Sequence, residues 1–348
     1  VINTTLLADI CRVPGAPGYE KQIRDFIIKE VSPLVDEVHI DNMGSVHAIK
    51  HGESKERVMV AAHMDEISFM VTHIDDKGFI RFTTLGGFDP KTLTAQRVII
   101  HGKEDIIGVM GTKPIHVMTS EERTKMPKNT DYFIDTGLPV DTVKELIGIG
   151  DTITRERELI EMGDCVNAKS IDNRVSVFIL IETLRKLEGK KVPYTIYGSF
   201  TVQEEVGLRG AIAAASGVNP RFGIALDVTM AYDLPSAAPH EMVTHLGKGT
   251  AIKVMDGATI CDYRMVDYMK TVAKDNDITY QLEVLTAGGT DTAGLQRHAN
   301  GGSIAGAISI PCRYLHQVIE MAHKKDIKDS IDLLSLCLIE LDSYDWGF

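Results

Sequence analysis

The 348-residue chain is 44% hydrophobic and 25% charged with a net charge of -12, the balance of a globular protein able to bury a sizeable core. It carries no cluster of Lys and Arg, so nucleic acid is not an expected partner, because phosphate neutralisation needs a basic surface. No run approaches the roughly 18 apolar residues of a membrane span, the opening VINTTLLADICRVPG lacks the basic start of a signal peptide, and the five scattered cysteines form no CxxC framework; a cytoplasmic protein with reduced thiols and no membrane partner is expected.

Apolar spacing of three and four predicts helices over 2–12 and 20–31, separated by the PGAPGY turn. VDEVHIDNMGSVHAIK then predicts a hairpin turning at 42–44, and RVMVAAHMDE a strand covered on both faces. Between about 68 and 165 the texture is short β-rich pieces (FMVTHI, GFIRFT, RVIIHG, DIIGVMG, YFIDTG), tight turns such as DDKG and GGFDP, and one short helix, VDTVKELIGI. That is the pattern of a small barrel or sandwich. From 172 onward helices and strands alternate: a long amphipathic helix from DNRVSVFILIETLRKL, strands from YTIYGSFTV, FGIALDV, AIKVM, TYQLEVL and SIAGAISI, and helices from LRGAIAAASG, DYRMVDYMKTVAKDN, TDTAGLQRH and IKDSIDLLSLCLIEL. Alternation of this kind predicts an α/β sheet with helices on both faces. The first 67 residues offer too little core alone, so 1–67 and 166–348 are expected to form one α/β domain, with 68–165 a β-rich insertion.

Five places put a metal-competent side chain at a strand end or helix start, where ligands gather in α/β sheets. In AAHMDE, His63 and Asp65 are two apart and project to the same side, which suits a ligand His and a carboxylate holding it; an ordinary polar strand end is the alternative. Asp172 opens an apolar helix, where an N-cap reading competes. In TVQEEVGLRGA, Glu204 and Glu205 close an apolar strand just before a glycine, and two acids there are costly to desolvate without opposing positive charge. The same dipeptide at Glu121 and Glu122 lies in a polar segment and needs no such explanation. Asp227 ends the strand GIALDVT, and His316 follows ISIPCRYL, where a structural histidine is the plainer reading.

Together these are two histidines, His63 and His316, and three carboxylates, Asp172, Glu205 and Asp227. Three negative charges against two divalent ions leave room for a bridging hydroxide, and ions about 3.5–4 Å apart need one shared carboxylate. Mixed nitrogen and oxygen ligands suit zinc first, with cobalt or manganese as alternatives. Asp65 and Glu204 are left to support a ligand and to act as general base.

Six motifs in order, AAHMDEI, NAKSIDNRVS, TVQEEVGLRGA, ALDVTMAYDLP, GGTDTAG and ISIPCRYLHQ, give the whole chain a resemblance to the dinuclear-metal aminopeptidases of metallopeptidase family 42. This group includes tetrahedral, glutamyl and deblocking aminopeptidases, some labelled endoglucanases. The resemblance implies a three-layer, mixed-sheet, zinc-exopeptidase-like catalytic domain with the inserted β domain serving self-association, as a dimer or a dodecamer. It implies that Asp172 bridges two metals, that His63 and Asp227 complete one site and Glu205 and His316 the other, and that Asp65 supports the His63 side. Glu204 is implied as the base that activates a metal-bridging hydroxide, on peptides with a free N-terminus. Two departures stand out: Gln317 follows His316 where many relatives have Ser or Thr, and Thr292 follows Asp291 where Ala is common. Both bear on the substrate side, where Gly288, Gly289 and Thr290 could offer backbone donors or form a plain turn with Thr290 as cap. Two other readings compete: a glycosidase, for which adjacent carboxylates are poorly placed to straddle a bond whose acids lie roughly 5–9.5 Å apart, and a catalytically inert peptidase-like scaffold.

Overall fold

The computed structural model describes every residue except Ser236. Helices α1 (Thr4–Arg12) and α2 (Lys21–Val31) lead into the hairpin β1 (Glu37–Ile40) and β2 (Val46–Lys50), then β3 (Ser54–His63). Six strands follow, β4 (Ser68–Ile74), β5 (Ile80–Leu85), β6 (Arg97–His101), β7 (Asp105–Gly111), β8 (Phe133–Asp135) and β9 (Thr152–Arg155), with α3 (Ser120–Thr124) and α4 (Val140–Leu146) between β7 and β9. The rest runs β10 (Ile160–Met162), β11 (Cys165–Ala168), α5 (Ile171–Lys186), β12 (Tyr194–Thr201), α6 (Arg209–Val218), β13 (Phe222–Met230), β14 (Thr250–Met255), α7 (Tyr263–Asp275), β15 (Tyr280–Val284), α8 (Thr292–His298), β16 (Ile304–Arg313), β17 (Glu320–His323) and α9 (Lys324–Ile339).

These strands form two bodies. The large mixed sheet has the order β1-β2-β12-β3-β13-β16-β17-β11-β10, with β14 joined to β16 and β15 to β14. At its centre β12, β3, β13 and β16 run parallel. Side-chain alternation along β3 divides the core: Val58, Val60 and Ala62 pack among α1, α2, α5, α7 and α9, whereas Met59 and Ala61 pack with Ala214, Ala215, Ala225 and Leu295 under α6 and α8. Helix, sheet and helix thus make three layers. The second body is a closed barrel, β4-β5-β8-β7-β6-β9, with its own core around Phe69, Ile100, Ile134 and Ile153. Its strands end at Arg155, and β10 pairs with β11 in the large sheet.

Three local expectations are corrected. The helix at α5 is not amphipathic: from Ile171 to Leu184 every residue except Glu182 is buried, because sheet and flanking helices enclose it. The strand carrying Asp227 continues to Met230, since β16 still pairs with it after β3 has stopped at Ala225. The polar segment holding Glu121 and Glu122 contains the short helix α3, closed by reciprocal bonds from Thr119 N to Glu122 Oε2 (2.7 Å) and from Glu122 N to Thr119 Oγ1 (3.2 Å). Glu121 there remains exposed and Glu122 half-buried. Among the described residues, no helix is long and apolar enough to cross a membrane.

Candidate active site

The parallel register sets the frame. His63, the last residue of β3, lies opposite Thr201 of β12, and Ala61 lies opposite Ala225 of β13. Asp227, two residues beyond Ala225, therefore stands abreast of His63 on the same face of the sheet. Glu204 and Glu205 follow Thr201 in a turn that Gln203 (φ 55°) and Gly207 (φ 123°) make possible with left-handed backbones. Asp172 enters from the start of α5, where it and Asn173 are non-helical and joined by a cis peptide; it does not cap the helix.

The seven residues singled out at the metal centre converge. His63 Nε2 lies 3.4 Å from Asp172 Oδ1 and 3.8 Å from both Asp227 Oδ1 and Glu204 Oε2. His316 Nε2 lies 3.3 Å from Asp172 Oδ2 and 3.7 Å from Glu205 Oε2. Each oxygen of Asp172 thus faces a different histidine. Three groups have potential ligand atoms mutually within 4.8 Å: His63, Asp172 and Asp227; Asp172, Glu205 and His316; and His63, Glu204 and Glu205. Asp65, fully buried, accepts from Glu204 N (3.1 Å) and Glu205 N (3.2 Å) and sits 3.4 Å from His63 Nδ1. It braces a histidine and a pair of glutamates at once.

Without a cation this cluster is electrostatically frustrated. Burial, then Asp227 and Glu205, push the Glu204 carboxyl well above the usual range despite the opposing pull of His63. Burial and Asp172 do the same to Glu205. Burial pushes Asp227 to about 8, with Asp172 adding to it and His63 opposing. Burial also works against an ionised Asp172, but hydrogen bonds from His316 and His63 outweigh it and hold that carboxyl low. The histidines respond in kind: burial opposes their charge, yet Glu204, Asp172 and Asp65 lift His63 well above its ordinary value, and Asp172 and Glu205 lift His316 to about 10.

The donor set fits divalent metal. His316 Nδ1 bonds to the carbonyl of Gly87 at 2.8 Å, and a carbonyl only accepts, so Nδ1 carries a proton and Nε2, the nitrogen facing Asp172 and Glu205, is the atom a metal would take in place of the proton that the cluster otherwise favours there. Glu205 Oε1 is buried with no hydrogen-bond partner. An orphaned carboxylate oxygen packed among further buried carboxylates is repelled by them unless positive charge lies between, which two divalent ions would supply.

The cluster opens into a cavity of about 470 Å³ that Gly288, Gly289 and Thr290 also line. Thr290 does not cap α8: its hydroxyl donates to Asp256 Oδ2 at 3.1 Å and lies 2.8 Å from Thr292 Oγ1, and the residue at the cap is Asp291. Several neighbours escaped the sequence reading. Glu320 accepts from Asp172 N at 2.9 Å, Thr201 Oγ1 donates to a buried Asp291 at 2.5 Å, and buried Lys253 lies 3.0 Å from Asp256 and 2.9 Å from Glu283. The available signals were a lysine inside the apolar strand AIKVM and the acid of GGTDTAG. For Glu320, in a four-residue strand whose sequence, EMAH, lacks polar–apolar alternation although its burial alternates, there was none.

Residues 44–333 match the model of the M42 glutamyl aminopeptidase family. The chain belongs to this family. It is 40% identical over 331 residues to a putative aminopeptidase of Acetivibrio thermocellus, covering 94% of this chain and 96% of that protein. Among solved structures, the TET aminopeptidase of Thaumarchaeota archaeon SCGC AB-539-E09 superposes with a TM-score of 0.93 at 33% identity, covering 97% and 96% of the two chains. The TET1 peptidase of Pyrococcus horikoshii, described as assembling into a tetrahedron or a large octahedral shell, superposes at 0.88 with 30% identity, covering 97% and 99%. As a member of the M42 peptidases the chain is an aminopeptidase-type hydrolase of a metal-dependent family.

Proposed function

We propose that this M42 peptidase removes N-terminal residues from peptides with a free amine, using two divalent metal ions held by its five clustered ligands. Asp172 would bridge them, with His63 and Asp227 completing one site and Glu205 and His316 the other; zinc is the first candidate, cobalt or manganese the alternatives. The observation that carries this reading is the sharing of Asp172 between two ligand groups, each closed by a different histidine. When bound, two such ions supply Lewis acidity, polarising the scissile carbonyl and making water acidic enough to lose a proton near neutral pH. Glu204, in the cluster but outside those two ligand sets, accepts that proton and returns it to the leaving amine. Asp65 holds the backbone amides that set the direction of Glu204 and Glu205. Gly288, Gly289 and Thr290 bound the substrate side of the cavity. Two imidazoles inside the cluster weigh against the glycosidase alternative, where they would be idle, and an intact ligand set weighs against an inert scaffold.

In this reading 1–67 and 166–348 belong to the catalytic unit and the barrel within 68–165 is the assembly unit, while β10 at 160–162 pairs with the catalytic sheet. The barrel side exposes Ile107, Val109, Ile115, Val117 and Met126, apolar surface of the kind subunit contacts cover. The TET1 relative, described as assembling into a tetrahedron or a large octahedral shell, supports self-association, and the exposed apolar residues are what point to the barrel for it. Five free cysteines fit a reducing, cytoplasmic setting.

The test uses aminoacyl chromogenic substrates beside their N-acetylated forms, before and after chelation. Activity should be confined to the free amines, vanish on metal removal and return with added zinc, cobalt or manganese. Undiminished turnover by metal-free protein would falsify the proposal.

A further inference from the structure

His316 lies in the link between β16 and β17, outside regular sheet pairing, with φ at 62°, a left-handed conformation that a non-glycine residue keeps only where its surroundings impose it. Beyond the cluster, its side chain and carbonyl bond to residues of the barrel. Its Nδ1 donates to the carbonyl of Gly87, in the connection after β5, at 2.8 Å, and its own carbonyl accepts from Arg155 Nη1, at the end of β9, at 3.1 Å. Arg155 is itself enclosed, 3% exposed, with its guanidinium 5.5 Å over the ring of Phe88, the residue next to Gly87. Phe88 in turn stacks on Phe69 in the barrel core at 4.5 Å. One braced unit therefore grips His316 at both ring and backbone.

This arrangement is poor design for stability alone. Arg155 Nε and Nη2 are buried without a hydrogen-bond partner, as is Glu320 Oε1. Burying an arginine for one bond to a carbonyl leaves donors desolvated and unpaired, which is costly. Proteins tolerate such local violations where function requires them. Behind the other ligand of the same site, Glu320 Oε2 accepts from Asp172 N at 2.9 Å, and the charge of Arg155 acts on this glutamate. His63, by contrast, ends a central strand opposite Thr201, and the charged groups near its ring, Asp65 at 3.4 Å from Nδ1 and Asp172, Glu204 and Asp227 by Nε2, all lie outside the barrel strands.

We propose that Arg155 is a positioning residue through which the inserted barrel holds His316, so that the Asp172–Glu205–His316 half of the centre forms only with the barrel docked, while the His63–Asp172–Asp227 half forms without it. This rests on reading the cluster as a two-metal centre. It makes the barrel, the expected assembly element, part of the catalytic machinery.

The test is zinc binding to the full chain, measured by competition with a chromogenic chelator, for the wild type, Arg155→Met and Arg155→Lys. The wild type should bind two ions per subunit. Arg155→Met should keep one at wild-type affinity and weaken the other by about 10- to 100-fold, the usual effect of removing a group that orients a ligand. Arg155→Lys keeps a cation that can reach the His316 carbonyl, so it should weaken the same ion less. Should the Met variant not fold, selective weakening in the Lys variant alone carries the test. Wild-type affinity for both ions, or equal weakening of both, overturns the role of Arg155 and leaves the two-metal reading standing. A wild type that binds fewer than two ions overturns that reading and this inference with it.

Discussion

Lys169 is the cation on which the floor of the site rests. The residue is 3% exposed, and its ammonium lies 2.9 and 2.6 Å from the two oxygens of Glu66, which is fully buried; Ser170 donates to the same carboxylate and Arg174 Nη2 lies 3.6 Å away. Burial opposes the charge on Glu66, but Lys169 and Arg174 outweigh it and hold its carboxyl below the ordinary value. Glu66 follows Asp65 and Lys169 precedes Asp172, so the pair ties together two loops that deliver site residues. Lys169→Met keeps the volume of the stem and strands a buried carboxylate against one distant cation. Breaking a buried pair from one side costs about 3–5 kcal/mol. With an unfolding entropy of about 2.1 cal/mol/K per residue, a 348-residue chain loses about 4–7 °C in Tm. Thermal unfolding of metal-free protein at matched concentration, since assembly shifts Tm by mass action, measures this. A loss below about 1 °C would show that Arg174 and Ser170 suffice and that the reasoning about Lys169 is wrong.

Glu204→Gln should retain both metal ions and the oligomer but lower kcat by about 10²- to 10⁴-fold, the range for a lost general base; wild-type turnover refutes its role. Asp172→Asn, which touches both histidines, should lose affinity for both ions, whereas Asp227→Asn should weaken only one; identical metal titrations of the two variants would dismiss Asp172 as the bridge. Far from the site, buried Asp326 accepts from Gly247 N (2.7 Å) and Gly249 N (2.8 Å), yet burial outweighs these bonds and raises its carboxyl from 3.8 to about 6. A group raised on folding contributes stability that is complete below its unfolded value and lost as pH rises through its folded one. Between pH 4 and 6 the denaturant midpoint of wild type should therefore fall relative to that of Asp326→Asn, and a difference that stays constant across this window would count against it.

Much of this architecture is local in origin. Spacing of three and four in TTLLADICR, the NMG turn and the covered run RVMVAAH each specify an element before any long-range contact forms, and helix α1, the hairpin and β3 appear where those patterns put them. Metal-competent residues at strand ends were legible for the same reason: an acid or histidine next to an apolar run is conspicuous, and His63, Asp172, Glu204, Glu205, Asp227 and His316 all stand in such places. Residues that act from outside the motif were not. Gly87 matters through a carbonyl, which no side chain advertises; Arg155 ends an ordinary barrel strand; and Glu320 sits in a strand defined only by its partners. A sequence pattern records which face of an element is apolar, and so it can nominate the groups that carry the chemistry. Which of those groups meet, and that two of the supports for His316 come from a separate barrel more than 150 residues away in sequence, follows from packing between distant segments, and only the folded chain decides it.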